Sequence, residues 1–159
     1  AIANVSWCYG NGEGVDLNIK KAIEYCKKSI KKGCGRDARN MGGFYDQGEK
    51  IEKDYQKAFR YFKIGAELGD GGAMVYIGFY YDTGRGIEVN KELAFKWYMK
   101  AAELGLAVAQ KNVAVYYQFG EGGEQDSEKE KEWAMKAAKQ GYEYAINNLK
   151  DWFGIEVDN

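Results

Sequence analysis

The chain is written in a period of 36 residues. Gly33, Gly69, Gly105 and Gly141 recur at that interval, and so do Tyr9, Tyr45, Tyr81 and Tyr117, then Gly12, Gly48, Gly84 and Gly120, and an aromatic set of Tyr25, Tyr61, Trp97 and Trp133. Parallel series held in constant phase mark a repeat array in which each unit is one supersecondary element. A further series, Asn18, Asp54, Asn90 and Asp126, is made of residues whose side chains cap helix N-termini, so a helix is predicted to start at each. From each cap, apolar residues at helical spacing, such as Ala94, Trp97, Tyr98, Ala101 and Ala102, run to the recurring glycine, which suits the left-handed position beyond a helix end. An earlier helix precedes each cap, with Ala73, Ile77, Gly78 and Tyr81 on one face and Ala109, Val113, Ala114 and Tyr117 on the next copy of it.

The two helices of a unit are joined by Gly12-Glu-Gly14-Val15, Gly84-Arg-Gly86-Ile87 or Gly120-Glu-Gly122-Gly123, tight turns after which the Val or Ile packs back into the core. Gly42, Gly78 and Ala114 mark where paired helices approach closely, with Tyr45, Tyr81 and Tyr117 filling the space beside them. A two-helix unit cannot bury its apolar face alone, so neighbours must stack. The expectation is one all-α array over residues 1–159, a right-handed superhelix (solenoid) of about four helix-turn-helix repeats, approximately 1–33, 34–69, 70–105 and 106–141, closed by a terminal helix over 142–153. The tail from Gly154 is too polar and short to fold alone.

Composition narrows the function. With 45% hydrophobic and 30% charged residues the chain is expected to fold, and its formal net charge of -1 is unlike the basic footprint of a nucleic-acid binder. No apolar run approaches the roughly 20 residues that cross a bilayer, and AIANVSWCYG is unlike a secretory leader; membrane insertion is not expected. The repeat is already under way at Ala1, so upstream sequence is expected, and the compartment stays open. The absence of histidine removes Ser-His-Asp and Cys-His catalysis and the commonest zinc ligand. Cys8, Cys26 and Cys34 are an odd count without CxxC spacing and read as small buried apolar residues, with a single Cys26–Cys34 bridge left open.

Three motif-like strings point elsewhere. Gly10-x-Gly12-x-Gly14 is a glycine-rich string of the phosphate-cradling kind, but it lies inside the repeating turn with no strand before it. Ser29-Ile-Lys-Lys32 fits Ser-x-x-Lys, without the companion strings of penicillin-interacting enzymes. Glu13 with Asp16, and Asp46 with Glu49, are carboxylate pairs with nothing to fix their geometry. No catalytic residue, cofactor or metal is assigned. The runs Glu128 to Glu132 and Lys27, Lys28, Lys31 and Lys32 are expected to be solvated outer faces of second helices.

The combination Tyr-x-x-Gly-x-Gly-(Val/Ile), a capping Asp or Asn, an aromatic and then Ala-Ala-x-x-Gly resembles the Sel1-like repeat, the best copy being YYDTGRGIEVNKELAFKWYMKAAELG from Tyr80 to Gly105. The resemblance covers essentially the whole chain. Repeat two departs from it at Lys50, in place of the second turn glycine, and at Gly65, in place of the first helix-packing alanine; repeat one has Ser29-Ile30 for the Ala-Ala pair. The resemblance implies a non-enzymatic scaffold or adaptor of the tetratricopeptide-like solenoid type that binds a protein or peptide. A cysteine-rich branch of the family bridges consecutive helices with seven residues between its cysteines. Cys26 and Cys34 have that spacing, four residues earlier in the repeat.

In such solenoids the first helix of each unit lines the concave face. By phase, the groove-facing residues are Ala3, Trp7, Gly10 and Asn11 in repeat one, Arg39, Gly43, Asp46 and Gln47 in repeat two, Val75, Phe79, Asp82 and Thr83 in repeat three, and Lys111, Val115, Gln118 and Phe119 in repeat four, with Arg36 beside them. Apolar Trp7, Val75, Phe79, Val115 and Phe119 alternate with basic Arg36, Arg39 and Lys111, which suits a peptide with hydrophobic anchors and some acidic character. The alternatives are a module that self-associates or braces a larger protein and, through distant family association alone, a β-lactam or cell-wall peptide hydrolase.

Overall fold

The computed structural model describes residues 18–49 and 51–157, and among these every regular element is an α-helix. In chain order they are α1 (Ile19–Ile30), α2 (Gly35–Gln47), α3 (Tyr55–Glu67), α4 (Gly71–Thr83), α5 (Lys91–Glu103), α6 (Ala107–Phe119), α7 (Ser127–Ala138) and α8 (Glu143–Phe153). Trp7, Asn11, the other readings on residues 1–17 and Lys50 lie outside the described residues.

The capping series does what its chemistry predicts. The side chains of Asn18, Asp54, Asn90 and Asp126 accept from the backbone N–H groups of Lys21, Lys57, Leu93 and Lys129 at 3.0, 2.9, 2.9 and 3.0 Å. Each satisfies one of the helix's orphan donors. The cap residues Asp54, Asn90 and Asp126 are also pinned from behind, because their N–H groups donate to the carbonyls of Tyr45, Tyr81 and Tyr117. The recurring tyrosines thus hold the turn through their backbone. At the far ends Gly33, Gly69, Gly105 and Gly141 have φ of 87, 83, 87 and 77°, where a side chain is strained, and the residue after each donates back to the last helical turn.

Two compact units divide the chain: the first runs to Ile77 and takes in Arg85–Ile87, and the second comprises Gly78–Gly84 and the residues from Glu88 on. The first buries Ala22, Ala38, Met41, Ala58, Phe62 and Ala66, with α2 packed on α3 and on α1. In the second α6 packs on α5 and α7, and α8 on α7, around Ala94, Tyr98, Ala109, Val113, Ala134 and Leu149. Met41, Ile77, Val113 and Leu149 share one phase, and full burial of each such side chain contributes about 1.5–3 kcal/mol.

Some expectations need correction. The tyrosines buried deepest in the first helices are Tyr80 and Tyr116, one residue before the recurring Tyr81 and Tyr117, which are half-buried. Glu130 is no solvated charge but only 5% exposed, occupying the phase of the fully buried Ala22, Ala58 and Ala94. Beyond α8, Ile155 and Val157 pack on the cluster of Ala134, Ala138 and Leu149, so the tail leans on the core rather than folding by itself. Lys27, Lys28, Lys31 and Lys32 are exposed as expected. Cys26 is buried and Cys34 half-buried, both as free thiols.

Candidate functional site

The first-helix face carries two kinds of residue, those held in ion pairs or buried and those that present surface. In the first unit Arg39 Nε lies 3.0 Å from Asp70 Oδ1, the oxygen that also accepts from the Ala73 N–H at 2.7 Å to cap α4. Arg39 is therefore a strut between α2 and the start of α4, lying so close to Gly72 that a Cβ there would stand 2.9 Å from its Cδ. Asp46 accepts from Arg85 Nη1 at 3.0 and 3.2 Å, and that guanidinium stands 5.1 Å from the centroid of the Tyr55 ring. Arg36 is exposed and Val75 half-buried.

In the second unit Asp82 accepts from Lys91 Nζ at 2.5 Å and from the Tyr116 hydroxyl at 2.7 Å, and Lys91 reaches Glu121 at 3.0 Å as well. Burial first, and then the hydrogen bond to Asp82, push the Tyr116 phenol well above its ordinary range, so it stays a donor. Gln118, at the phase of Asp46 and Asp82, is buried instead, 7% exposed. Phe79 is half-buried, edge-on to Tyr80. Lys111, Val115 and Phe119 fall four residues apart on α6 and so form one stripe. Phe119 at its end is 64% exposed and Val115 half-buried. Burial lowers the Lys111 pKa, against the opposing field of Asp82, and its ammonium stands 5.3 Å from the ring centroid of Tyr144.

Of the predicted contacts, then, Arg39, Asp46 and Asp82 are committed to ion pairs, Gln118 is buried, and Arg36, Val75, Phe79, Lys111, Val115 and Phe119 present surface. Sequence phase missed Tyr144, 48% exposed beside Lys111; the available signal was its register with Val108, itself 37% exposed. The chemistry here is that of contact. Among the described residues no group of three or more His, Cys, Asp or Glu is placed to hold a metal, and no helix is long and apolar enough to cross a membrane. Ser29 of the Ser-x-x-Lys string is 4% exposed, which hides the hydroxyl such a motif would need as a nucleophile.

Comparison with known proteins bears on this geometry. The Sel1 repeat family model matches residues 1–34, 37–70, 72–106 and 107–142. None of the curated proteins searched matches. Among solved structures, a Sel1 repeat protein from Oxalobacter formigenes is similar over 97% of this chain and 63% of its own, with 30% identity and a TM-score of 0.88. A protective antigen of uropathogenic Escherichia coli that displays the SLR fold is similar over 96% of this chain and 33% of its own, with 26% identity and a TM-score of 0.87. Helicobacter pylori cysteine-rich protein B, at 24% identity and a TM-score of 0.67 over 87% of this chain and all of its own, shares the fold. The chain spans 63% and 33% of the lengths of the first two. The fold is thus the all-α solenoid of helix pairs.

Proposed function

This chain belongs to the Sel1 repeat family, and from that premise we propose that it is a protein- or peptide-binding scaffold whose partner docks on the outward faces of the first helices. The Sel1-repeat solenoid commonly mediates protein–protein interaction and is generally a non-enzymatic scaffold. The observation that carries the reading is the α6 stripe. Phe119 leaves 64% of its surface in water at the end of a helix whose other face is packed, with Val115 and Lys111 one and two turns behind it. An aromatic anchor beside an aliphatic one, with a desolvated ammonium at the far end, suits a segment carrying apolar side chains and a carboxylate. In the first unit exposed Arg36 and half-buried Val75 have the same mixed character.

A photo-crosslinking amino acid placed at Phe119, and in a control at exposed Lys96 on α5, tests this in extracts of the native host. A discrete adduct from position 119 alone is expected, and Lys111→Glu should abolish it. Equal adducts from both positions would refute the assignment, and an adduct consisting solely of a second copy would favour self-association.

A further inference from the structure

Gly123 stands in its repeat where Ile51 and Ile87 stand in the two before it, both half-buried. Neither of the usual reasons for glycine applies. Its backbone is not among those with positive φ, and a Cβ built on it would meet nothing within 4 Å. The neighbouring Gly122, by contrast, is left-handed at φ 74°, and a Cβ built on it would stand 2.8 Å from the Lys91 carbonyl oxygen. The turn therefore lacks the side chain that its two predecessors carry, with no backbone reason for the loss.

Gly123 forms part of the lining of a cavity of about 290 Å³. Its walls are aromatic: Phe95 stacks on Tyr116 with centroids 5.7 Å apart and meets Tyr117 edge-on at 5.3 Å. Its charge is acidic on balance, from Glu121, Glu124 and Asp126 against Lys129. Glu121 is paired with Lys91 at 3.0 Å and Asp126 with Lys129 at 3.1 Å, whereas exposed Glu124 feels the Lys129 charge but makes no hydrogen bond or ion pair among the described residues. Lys129 already shows which guest this surface accepts, since its ammonium stands 5.3 Å from the Tyr117 ring centroid.

We propose that this cavity is a second binding site, separate from the α6 stripe, that takes an arginine side chain of a peptide. The aliphatic stem lies against the rings, and the guanidinium reaches the carboxylate of Glu124. A planar cation that stacks on aromatic faces and pairs with a carboxylate matches both features, better than an ammonium does. The volume lies at the lower edge of the ~300–1,000 Å³ typical of ligand sites, room for a side chain rather than a cofactor.

The test is a titration of the whole chain with N-acetyl-arginine N-methylamide, followed by amide shifts of Gly122, Gly123 and Glu124 in nitrogen–proton correlation spectra. The citrulline analogue, an uncharged isostere, and the isoleucine analogue are the controls. Saturable shifts with the arginine compound, about tenfold weaker in Glu124→Gln and absent in Gly123→Ile, are expected. No saturable shift with the arginine compound, equal binding of the citrulline or isoleucine compound, or unchanged binding by Gly123→Ile whose remaining spectrum is native would each overturn the proposal. Tighter binding of free arginine than of the capped compound would overturn the peptide assignment. Phe119→Asp should leave the titration unchanged, so failure of the docking stripe and failure of this site read out separately.

Discussion

Gly78 lies directly against the ring of Tyr98, so closely that a Cβ at residue 78 would stand 2.7 Å from Cδ1 and Cε1. The same relation holds Gly42 to Phe62, at 2.5 Å. One repeat further on, Ala114 and Ala134 occupy these phases in one buried cluster, the close-approach residue larger where the ring is gone. Side-chain volume is thus exchanged between the two positions. Gly78→Ala is expected to destabilise by about 1–2 kcal/mol, overpacking outweighing the gain in helix propensity. Ala134→Tyr should be similarly costly alone and partly rescued by Ala114→Gly, as read by urea midpoints in a double-mutant cycle.

The four caps divide into two chemistries. Asn90→Ala should cost about 1 kcal/mol. Asp54 and Asp126 are held below the ordinary carboxylate pKa, first by the backbone N–H groups of Lys57 and Lys129 and then by their ammonium groups. A folded-state pKa below the unfolded value means that the contribution is present above about pH 4 and is lost as the pH falls through the depressed value. Asp54→Asn with Asp126→Asn should leave neutral stability nearly unchanged and flatten the acid limb of the pH–stability curve. An acid limb as steep as that of the parent chain would exclude these two groups as its source.

The repeat made the fold legible because each cap, glycine stop and small-residue contact was written several times in one phase. The site was less legible because its ties change partner between repeats. Asp46 is held by Arg85, but the next copy of that arginine is Glu121, and Asp82 instead takes the cation of Lys91, which stands where the previous repeat has Tyr55. No single phase predicts such an exchange, so the ion pairs of Asp46 and Asp82 could not be read from the sequence. Adjacent tyrosines posed a second ambiguity, because neighbours on a helix differ by only about 100° and period alone did not separate Tyr80 from Tyr81.

Glu130 was invisible for a different reason: it looks like one charge in an acidic run, yet it reaches a buried partner. Asn148 Nδ2 donates to its carboxylate at 3.4 Å, while Asn148 Oδ1 is buried without a hydrogen-bond donor. Burial raises the Glu130 pKa against the lowering effect of that bond. A folded pKa above the unfolded value means that the ionised form weakens the fold at neutral pH and that this penalty fades as the pH falls towards the unfolded value, about 4.3. Glu130→Gln, which can both accept from and donate to Asn148, should raise the thermal midpoint at pH 7 and have little effect at pH 4. A midpoint lowered at pH 7 would show that the carboxylate itself stabilises α8.

The exchange of cations also predicts a rescue. Arg85 serves Asp46 and covers the Tyr55 ring, so Arg85→Glu removes both contacts and sets two carboxylates against each other. The fourth repeat carries that very glutamate as Glu121, and there Lys91 bridges it to Asp82 at 3.0 and 2.5 Å. Lys91 occupies the phase of Tyr55. Arg85→Glu alone should therefore destabilise the first unit by about 1–2 kcal/mol, and adding Tyr55→Lys should recover about half of that loss, although Tyr55→Lys alone lowers stability by removing its ring from the guanidinium. The sign of the coupling energy from urea unfolding decides the matter, because independent positions would give additive losses. A favourable coupling would mean that the half-buried aspartate needs a cation but that either the turn or the start of the second helix can supply it, and the array could then vary the outer charge of each turn without losing its packing.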